Sequence, residues 1–201
     1  MDDGSRDRTA ALVEAAATQD SRVRLLRNPG NRGKGYSVRH GMLEARGDWL
    51  LFTDADLSAP IEELSKLMSA VREHSAAIAI GSRALDRSLV GVHQSRWREF
   101  AGNFFNRVMR FATGLTFKDT QCGFKLYRRD AAQAVFARQR LNGFGFDAEH
   151  LFIARVLGFS VVEVPARWNN VEGTKVSLMA GARPFLDLLL IRWYQARGRY
   201  R

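Results

Sequence analysis

Trp49-Leu50-Leu51-Phe52-Thr53-Asp54-Ala55-Asp56-Leu57-Ser58-Ala59-Pro60 decides how the rest of the chain is read. A continuous apolar run closed by Thr53 predicts a strand buried on both faces of a sheet. It delivers Asp54 and Asp56 at its carboxyl end. Downstream, Pro60 suits the first position of a helix, and Ile61, Leu64, Leu67, Met68 and Val71 recur at helical spacing. Residues 76–80 form the next buried run, stopped by Gly81. Upstream, residues 23–26 read as a short strand, Asn28-Pro29-Gly30-Asn31 as a loop, and residues 35–46 as a helix. Later runs predict a strand at 123–127, helices at 131–138 and 147–156, and a strand at 161–164. Strands alternating with helices give an α/β fold with a Rossmann-like, mostly parallel sheet. Such sheets bind ligands beyond the carboxyl ends of their strands, where Asp54 and Asp56 stand.

Composition narrows the class. The 201 residues are 46% hydrophobic with four prolines, which suits one domain that buries roughly 70% of its unfolded surface. One cysteine, Cys122, excludes an intramolecular disulfide framework and a cysteine-rich zinc site; it reads as a packed apolar residue, as does Trp168. No apolar run approaches the ~20 residues of a membrane-spanning helix, and the first residues lack the apolar region of a signal peptide.

The net charge of +10 is concentrated. Residues 83–118 carry seven basic and two acidic side chains, and residues 183–201 carry five and one, so nine of the ten excess charges lie in two short segments. A nucleic-acid footprint, an anionic membrane surface and plain solubility charge compete as explanations. Within the first segment Trp97, Phe100, Ala101, Phe104, Phe105, Val108, Phe111 and Ala112 follow helical spacing, with Arg98, Arg107 and Arg110 mostly off that stripe. Residues 97–112 therefore predict an amphipathic helix with aromatic and basic faces. In the second segment, residues 185–194 are mainly apolar and flanked by arginines.

Two carboxylates two residues apart at a strand end can share a divalent cation, Mg²⁺ or Mn²⁺, which in turn clamps a diphosphate. Asn31-Arg32-Gly33-Lys34-Gly35 places a lysine between glycines before a helix, a setting for an anion. Its spacing is not that of a P-loop, which argues against an ATPase. Asp2-Asp3-Gly4-Ser5 admits a bland reading as the cap of a helix starting near Arg8.

Taken together, Asp-Asp-Gly-Ser, Asn-x-Gly-Lys-Gly, Thr-Asp-Ala-Asp-Leu-Ser-Ala-Pro and Gly-Ser-Arg, in that order, resemble the inverting family-two glycosyltransferases of the GT-A, or nucleotide-diphospho-sugar transferase, fold. Asp119-Thr120-Gln121-Cys122-Gly123-Phe124-Lys125, Gly143-Phe144-Gly145-Phe146-Asp147, and the run from Glu163-Val164-Pro165 to Glu172-Gly173-Thr174-Lys175 narrow the resemblance. It is to the dolichyl/polyprenyl-phosphate β-glucosyltransferases, neighbours of dolichyl-phosphate mannose synthase. Members carry a strand, a Pro-x-x-Asn-Glu loop and a helix before Asp-Asp-Gly-Ser. Here Met1 directly precedes Asp2, so the resemblance implies one glycosyltransferase domain over 1–201 that lacks its N-terminal strand and helix.

The activity implied is metal-dependent transfer of a hexose, glucose from UDP-glucose, with inversion onto a polyprenyl or dolichyl phosphate. GDP-mannose or another UDP-sugar is the alternative donor, and an inactive remnant that binds only nucleotide or membrane is the alternative function. The resemblance assigns Asp2 and Asp3 to the nucleoside, and Asp54 and Asp56 to nucleotide and metal. Lys34 falls to the donor diphosphate. Arg83, Arg128, Arg167 and Lys175 fall to the acceptor phosphate. It makes Asp119 the residue that orients the acceptor and Asp147 the positional equivalent of a general base, against bland readings as a turn residue and a helix cap. A phosphate acceptor is already anionic, so positioning and leaving-group stabilisation outweigh proton abstraction. A lipid acceptor also favours a membrane explanation of residues 97–112 and 183–201, on the cytoplasmic face and peripheral. Nucleic acid ranks last, since no recognised module appears.

Overall fold

The computed structural model describes residues 1–89, 107–169 and 183–201. Its elements are helix α1 (Thr9–Gln19), helix α2 (Lys34–Glu44), strand β1 (Trp49–Thr53), helix α3 (Leu64–Glu73), strand β2 (Ile78–Ser82), the helical residues 107–113 (α4), strand β3 (Phe124–Arg128), helix α5 (Arg129–Arg138), helix α6 (Phe146–Val156), strand β4 (Val161–Pro165) and helix α7 (Arg183–Ala196). The expected strand at 23–26 does not form. That stretch finds one pairing partner, Asp2, in a parallel bridge to Arg27 closed by two backbone hydrogen bonds, Asp2 N–H to Leu26 at 2.8 Å and Asn28 N–H to Asp2 at 2.9 Å. A ladder needs a run of partners.

The four strands lie in the order β1-β3-β2-β4. β2 and β4 are parallel, whereas β3 is antiparallel to both β1 and β2. Three strands thus share one direction, as a mostly parallel sheet requires, and β3 is inserted in reverse between two of them. The reversal has a local cause. Asp119 is bonded to Arg83 just beyond β2, and the Asp54 N–H donates to the Gly123 carbonyl at 3.0 Å. The chain entering β3 is therefore already at the carboxyl edge and can only run back through the sheet.

Alternation along the strands builds two cores. Leu50, Phe52, Ile78, Ile80 and Tyr127 face one side, where α2, α5, α6 and α7 contribute Met42, Val135, Phe136, Leu151 and Ile191. Ala79, Phe124 and Leu126 face the other, against Leu67 and Val71 of α3 and Trp168. β2 is buried at every position, and buried Cys122 packs as the apolar residue expected. Most of the helix anticipated at 97–112 lies outside the described residues. In the part that is described, Met109 points into the core and Phe111 is 93% exposed. No described helix is long and apolar enough to cross a membrane.

Candidate functional site at the carboxyl edge of the sheet

Everything that ends at one edge of the sheet converges there: the C-termini of β1, β2 and β4, the start of β3, and the first turns of α2 and α6. Among the described residues, three carboxylate–cation pairs line it. Lys34, the first residue of α2, places Nζ 2.6 Å from Asp54 Oδ1. A β-carbon at Gly123 would fall inside the Asp54 carboxylate, so the glycine opening β3 is what makes room for that side chain. Lys125, wholly buried in β3, is paired with Asp147 on α6. Phe52 and Phe146, with ring centroids 6.0 Å apart, form an apolar floor under the two ammonium groups, Lys125 at 5.1 Å from one ring and Lys34 at 6.0 Å from the other.

The third pair is the most elaborate. Asp119, 3% exposed, accepts Nε of Arg83 at 2.7 Å and Nη2 at 3.0 Å, a two-pronged contact, and the Arg83 backbone N–H at 3.1 Å. The guanidinium stacks 4.9 Å from the Trp168 ring centroid. Behind it, Glu163 of β4 accepts the N–H groups of Asp119 and Lys118 at 2.8 and 3.0 Å and holds the turn in place.

The electrostatics follow from burial and pairing. Burial opposes ionisation of Asp119, and the adjoining Arg83 charge and hydrogen bonds overcome it, holding the carboxyl below its usual range. Burial likewise opposes the Arg83 charge, and Asp119 outweighs it. Asp147 goes the other way: burial pushes its carboxyl up against the pull of Lys125 and Lys34. Burial and the Asp119 charge push the Cys122 thiol up to about 12, so it stays neutral.

Asp3, half-buried, has hydrogen bonds of its own. It accepts from the Asn28 amide at 2.8 Å and from the N–H groups of Arg32 and Gly33 at 2.7 and 2.8 Å. Burial opposes its charge, and those bonds outweigh that, so its carboxyl titrates below the usual range. Asp3 therefore shapes the glycine loop before α2 rather than capping α1. Asn28 extends the cluster to Ser37 and His40 at 2.8 and 2.9 Å. Asp2 accepts the Ser5 N–H at 3.0 Å.

Residues 1–136 match the family model described as glycosyl transferase family 2. The chain belongs to that family. A dolichyl-phosphate beta-glucosyltransferase of Trichomonas vaginalis, ALG5C, is 35% identical over 98% of this chain and 60% of its own length. That of Mus musculus is 34% identical over the whole chain and 64% of its own length. The chain thus spans less than two thirds of these relatives. Among solved structures, glucosyl-3-phosphoglycerate synthase of Mycobacterium tuberculosis in complex with Mn²⁺, UDP-glucose and phosphoglyceric acid superimposes with a TM-score of 0.63 at 18% identity, covering 94% of this chain and 65% of that one. The α/β arrangement of the GT-A fold is shared.

For a family 2 chain, the placement of the remaining expected residues is uneven. Asp56 is exposed beside Asp54, with Oδ1 accepting the Ser58 N–H at 3.0 Å. Arg167 follows β4 near the edge, yet its guanidinium is held 2.7 Å from buried Glu63, which also takes Lys66. Arg128 is not at this edge at all. It ends β3 opposite Trp49, the start of β1, and pairs with Asp130; the reversed strand carries it ~15 Å away, at ~3.3 Å per residue. Lys175 lies outside the described residues.

Sequence reasoning passed over Lys125 and Glu163. Each is a charged residue inside an otherwise apolar strand, a signal that a buried partner must exist. Asp54 and Asp56 suit a hard divalent cation in donor type: both offer carboxylate oxygens, with Asp54 Oδ1 held by Lys34 in this structure. No cluster of three or more ligating side chains occurs among the described residues.

Proposed function

We propose that residues 1–201 act as one glycosyltransferase domain that moves glucose from UDP-glucose, with inversion, onto a dolichyl or polyprenyl phosphate. The observation that carries this reading is the row of three carboxylate–cation pairs along a single sheet edge, in a chain whose relatives are named for that transfer. Bringing an anionic donor to an anionic acceptor requires fixed positive charge, and the edge supplies three cations whose carboxylate partners hold them in place.

Asp2 and Asp3 border the nucleoside end beside the α2 loop. Asp54 and Asp56 would hold Mg²⁺ or Mn²⁺, which neutralises the diphosphate when bound. Lys34, which rests on Asp54, would pair with that diphosphate. Arg83, oriented by Asp119 and Trp168, faces the acceptor phosphate. Asp147, kept close to Lys125, fixes that ammonium at the floor of the site; an acceptor that is already ionised asks little of it as a base. Arg167 follows β4 at the rim, and Lys175 is the remaining candidate for the acceptor phosphate.

The acceptor implies a peripheral membrane contact. On α7, Leu188 and Ile191 pack inward, while Leu186, Leu189, Leu190 and Trp193 form an exposed stripe at helical spacing. Exposed Phe111 and the exposed Arg192, Arg197, Arg199 and Arg201 add apolar and basic surface. Co-sedimentation with anionic vesicles tests this: Leu189→Ser with Trp193→Ser lowers binding severalfold, and unchanged binding refutes the contact.

Transfer from labelled UDP-glucose to polyprenyl phosphate with Mn²⁺, measured for the chain and for Asp56→Ala, tests the activity. The expected result is transfer that falls by at least about a hundredfold in the variant. Equal transfer in the variant, or transfer from GDP-mannose in preference to UDP-glucose, overturns the assignment.

A further inference from the structure

The end of the chain returns to the core. Gly198, with φ +67, turns the chain after α7, and the Arg199 N–H closes the turn on the Tyr194 carbonyl at 3.0 Å. This buries Tyr200 entirely, with ring centroids 6.0 Å from Phe152 and 6.2 Å from Tyr194. Its hydroxyl donates to Glu149 Oε1 at 2.6 Å. Glu149 is itself fully buried on α6 and grips the backbone of the loop after α5: Oε1 accepts the Arg140 N–H at 2.9 Å and Oε2 the Leu141 N–H at 2.8 Å.

Buried Gln139 completes the brace. Its amide nitrogen donates to the carbonyls of Gly35 at 2.8 Å and Leu141 at 2.7 Å, which uses both hydrogens. Its oxygen must then accept from His150 Nε2, 2.7 Å away. That fixes the tautomer of a histidine that burial keeps neutral.

The braced loop lies directly on the start of α2. The Tyr36 N–H donates to the Asn142 carbonyl at 3.3 Å. A β-carbon on Gly35 would stand 2.7 Å from the Leu141 oxygen, and one on Gly33 would stand 2.6 Å from the Asn142 oxygen. The two glycines that flank Lys34 therefore touch loop backbone, and any shift of the loop moves Lys34.

We infer that Glu149 and Tyr200 are positioning residues for donor binding: acting through the backbone of residues 140–142, they set the start of α2 and hence the placement of Lys34 at the diphosphate. This rests on Lys34 and Asp54 forming the donor site. An apolar filling would pack this interior as well as a tyrosine–carboxylate–backbone chain does. What the hydrogen-bonded chain adds is a fixed distance between α6 and the loop.

Isothermal titration of the 201-residue chain with UDP in the presence of Mn²⁺ tests it, with Tyr200→Phe, Glu149→Gln, Lys34→Ala and the double variant Tyr200→Phe/Lys34→Ala. Tyr200→Phe keeps the ring packing and removes one donor; the Kd for UDP is expected to rise roughly 3- to 10-fold, and Glu149→Gln to do at least as much. In the Lys34→Ala background Tyr200→Phe adds nothing further to Kd, although it still lowers the unfolding temperature. A purely structural role gives a lower unfolding temperature with unchanged Kd, or equal Kd effects in both backgrounds, and either overturns the positioning alone. If Lys34→Ala leaves Kd unchanged, the donor-site reading falls and the positioning with it. Should Glu149→Gln fail to fold, the Tyr200 cycle decides.

Discussion

The two edges of the sheet carry the same kinds of ion pair and use them differently. At the carboxyl edge, Lys125–Asp147 joins β3 to α6 with side chains 0% and 4% exposed, and Arg83–Asp119 joins two segments 36 residues apart with the carboxylate 5% exposed. At the opposite edge, Arg128–Asp130 joins neighbours two residues apart at 2.6 Å, with side chains 47% and 57% exposed. Geometry is equally good at both. Water is the difference: it screens the outer pair to near nothing and leaves the inner pairs strong, oriented and costly to break. Two pairs that cross elements with a carboxylate out of reach of solvent, Lys125–Asp147 and Arg83–Asp119, distinguish the edge of the candidate site from one where a pair closes a local turn.

Breaking Arg83 tests this most severely. Arg83→Met leaves Asp119 buried without its cation and is expected to cost about 3 kcal/mol of stability at neutral pH, read by denaturant unfolding. The sign with pH is fixed by the depressed carboxyl of Asp119. Its contribution is complete above the ordinary value of 3.8 and is lost as pH falls through the lower folded value, so the gap between wild type and variant narrows in acid. A gap that holds constant from pH 7 to pH 3 would show that Arg83 acts through packing on Trp168 instead.

The smallest effect sharpens the contrast. Arg128→Ala removes an exposed pair and is expected to change stability by no more than about 0.5 kcal/mol and to leave UDP binding untouched. A tenfold change in UDP binding would place Arg128 back in the site.

Much of this was legible in the chain itself. The run from Trp49 to Thr53 specified a strand, with Asp54 and Asp56 at its carboxyl end as the pattern predicted. Its burial on both faces was not borne out: Leu50 and Phe52 are buried, while Trp49 and Leu51 are only partly so and Thr53 is exposed, at the outer strand of the described sheet. Helix α2 begins within one residue of its reading, because Gly33 and Gly35 flank its first lysine. Three features were not legible. Residues 23–26 have strand-like composition, but a strand is a relation between segments, and their partner amounts to Asp2. Phe111 fits the apolar stripe of its helix, yet the fold turns Met109 inward and leaves Phe111 out. Arg128 follows a motif that does reach the site, and the reversed direction of β3 carries it to the far edge.

Local propensity and periodicity determined the elements, the carboxylate pair at the end of β1 and the concentration of positive charge in two segments, because these depend on neighbours along the chain. Direction and partnership were decided only in three dimensions. That β3 runs backwards, that Lys125 meets Asp147, that Glu163 holds the Asp119 turn, and that Tyr200 reaches Glu149 51 residues earlier all follow from one constraint. Each buried charge needs a partner inside the fold, and nothing in the sequence states which partner the topology will bring.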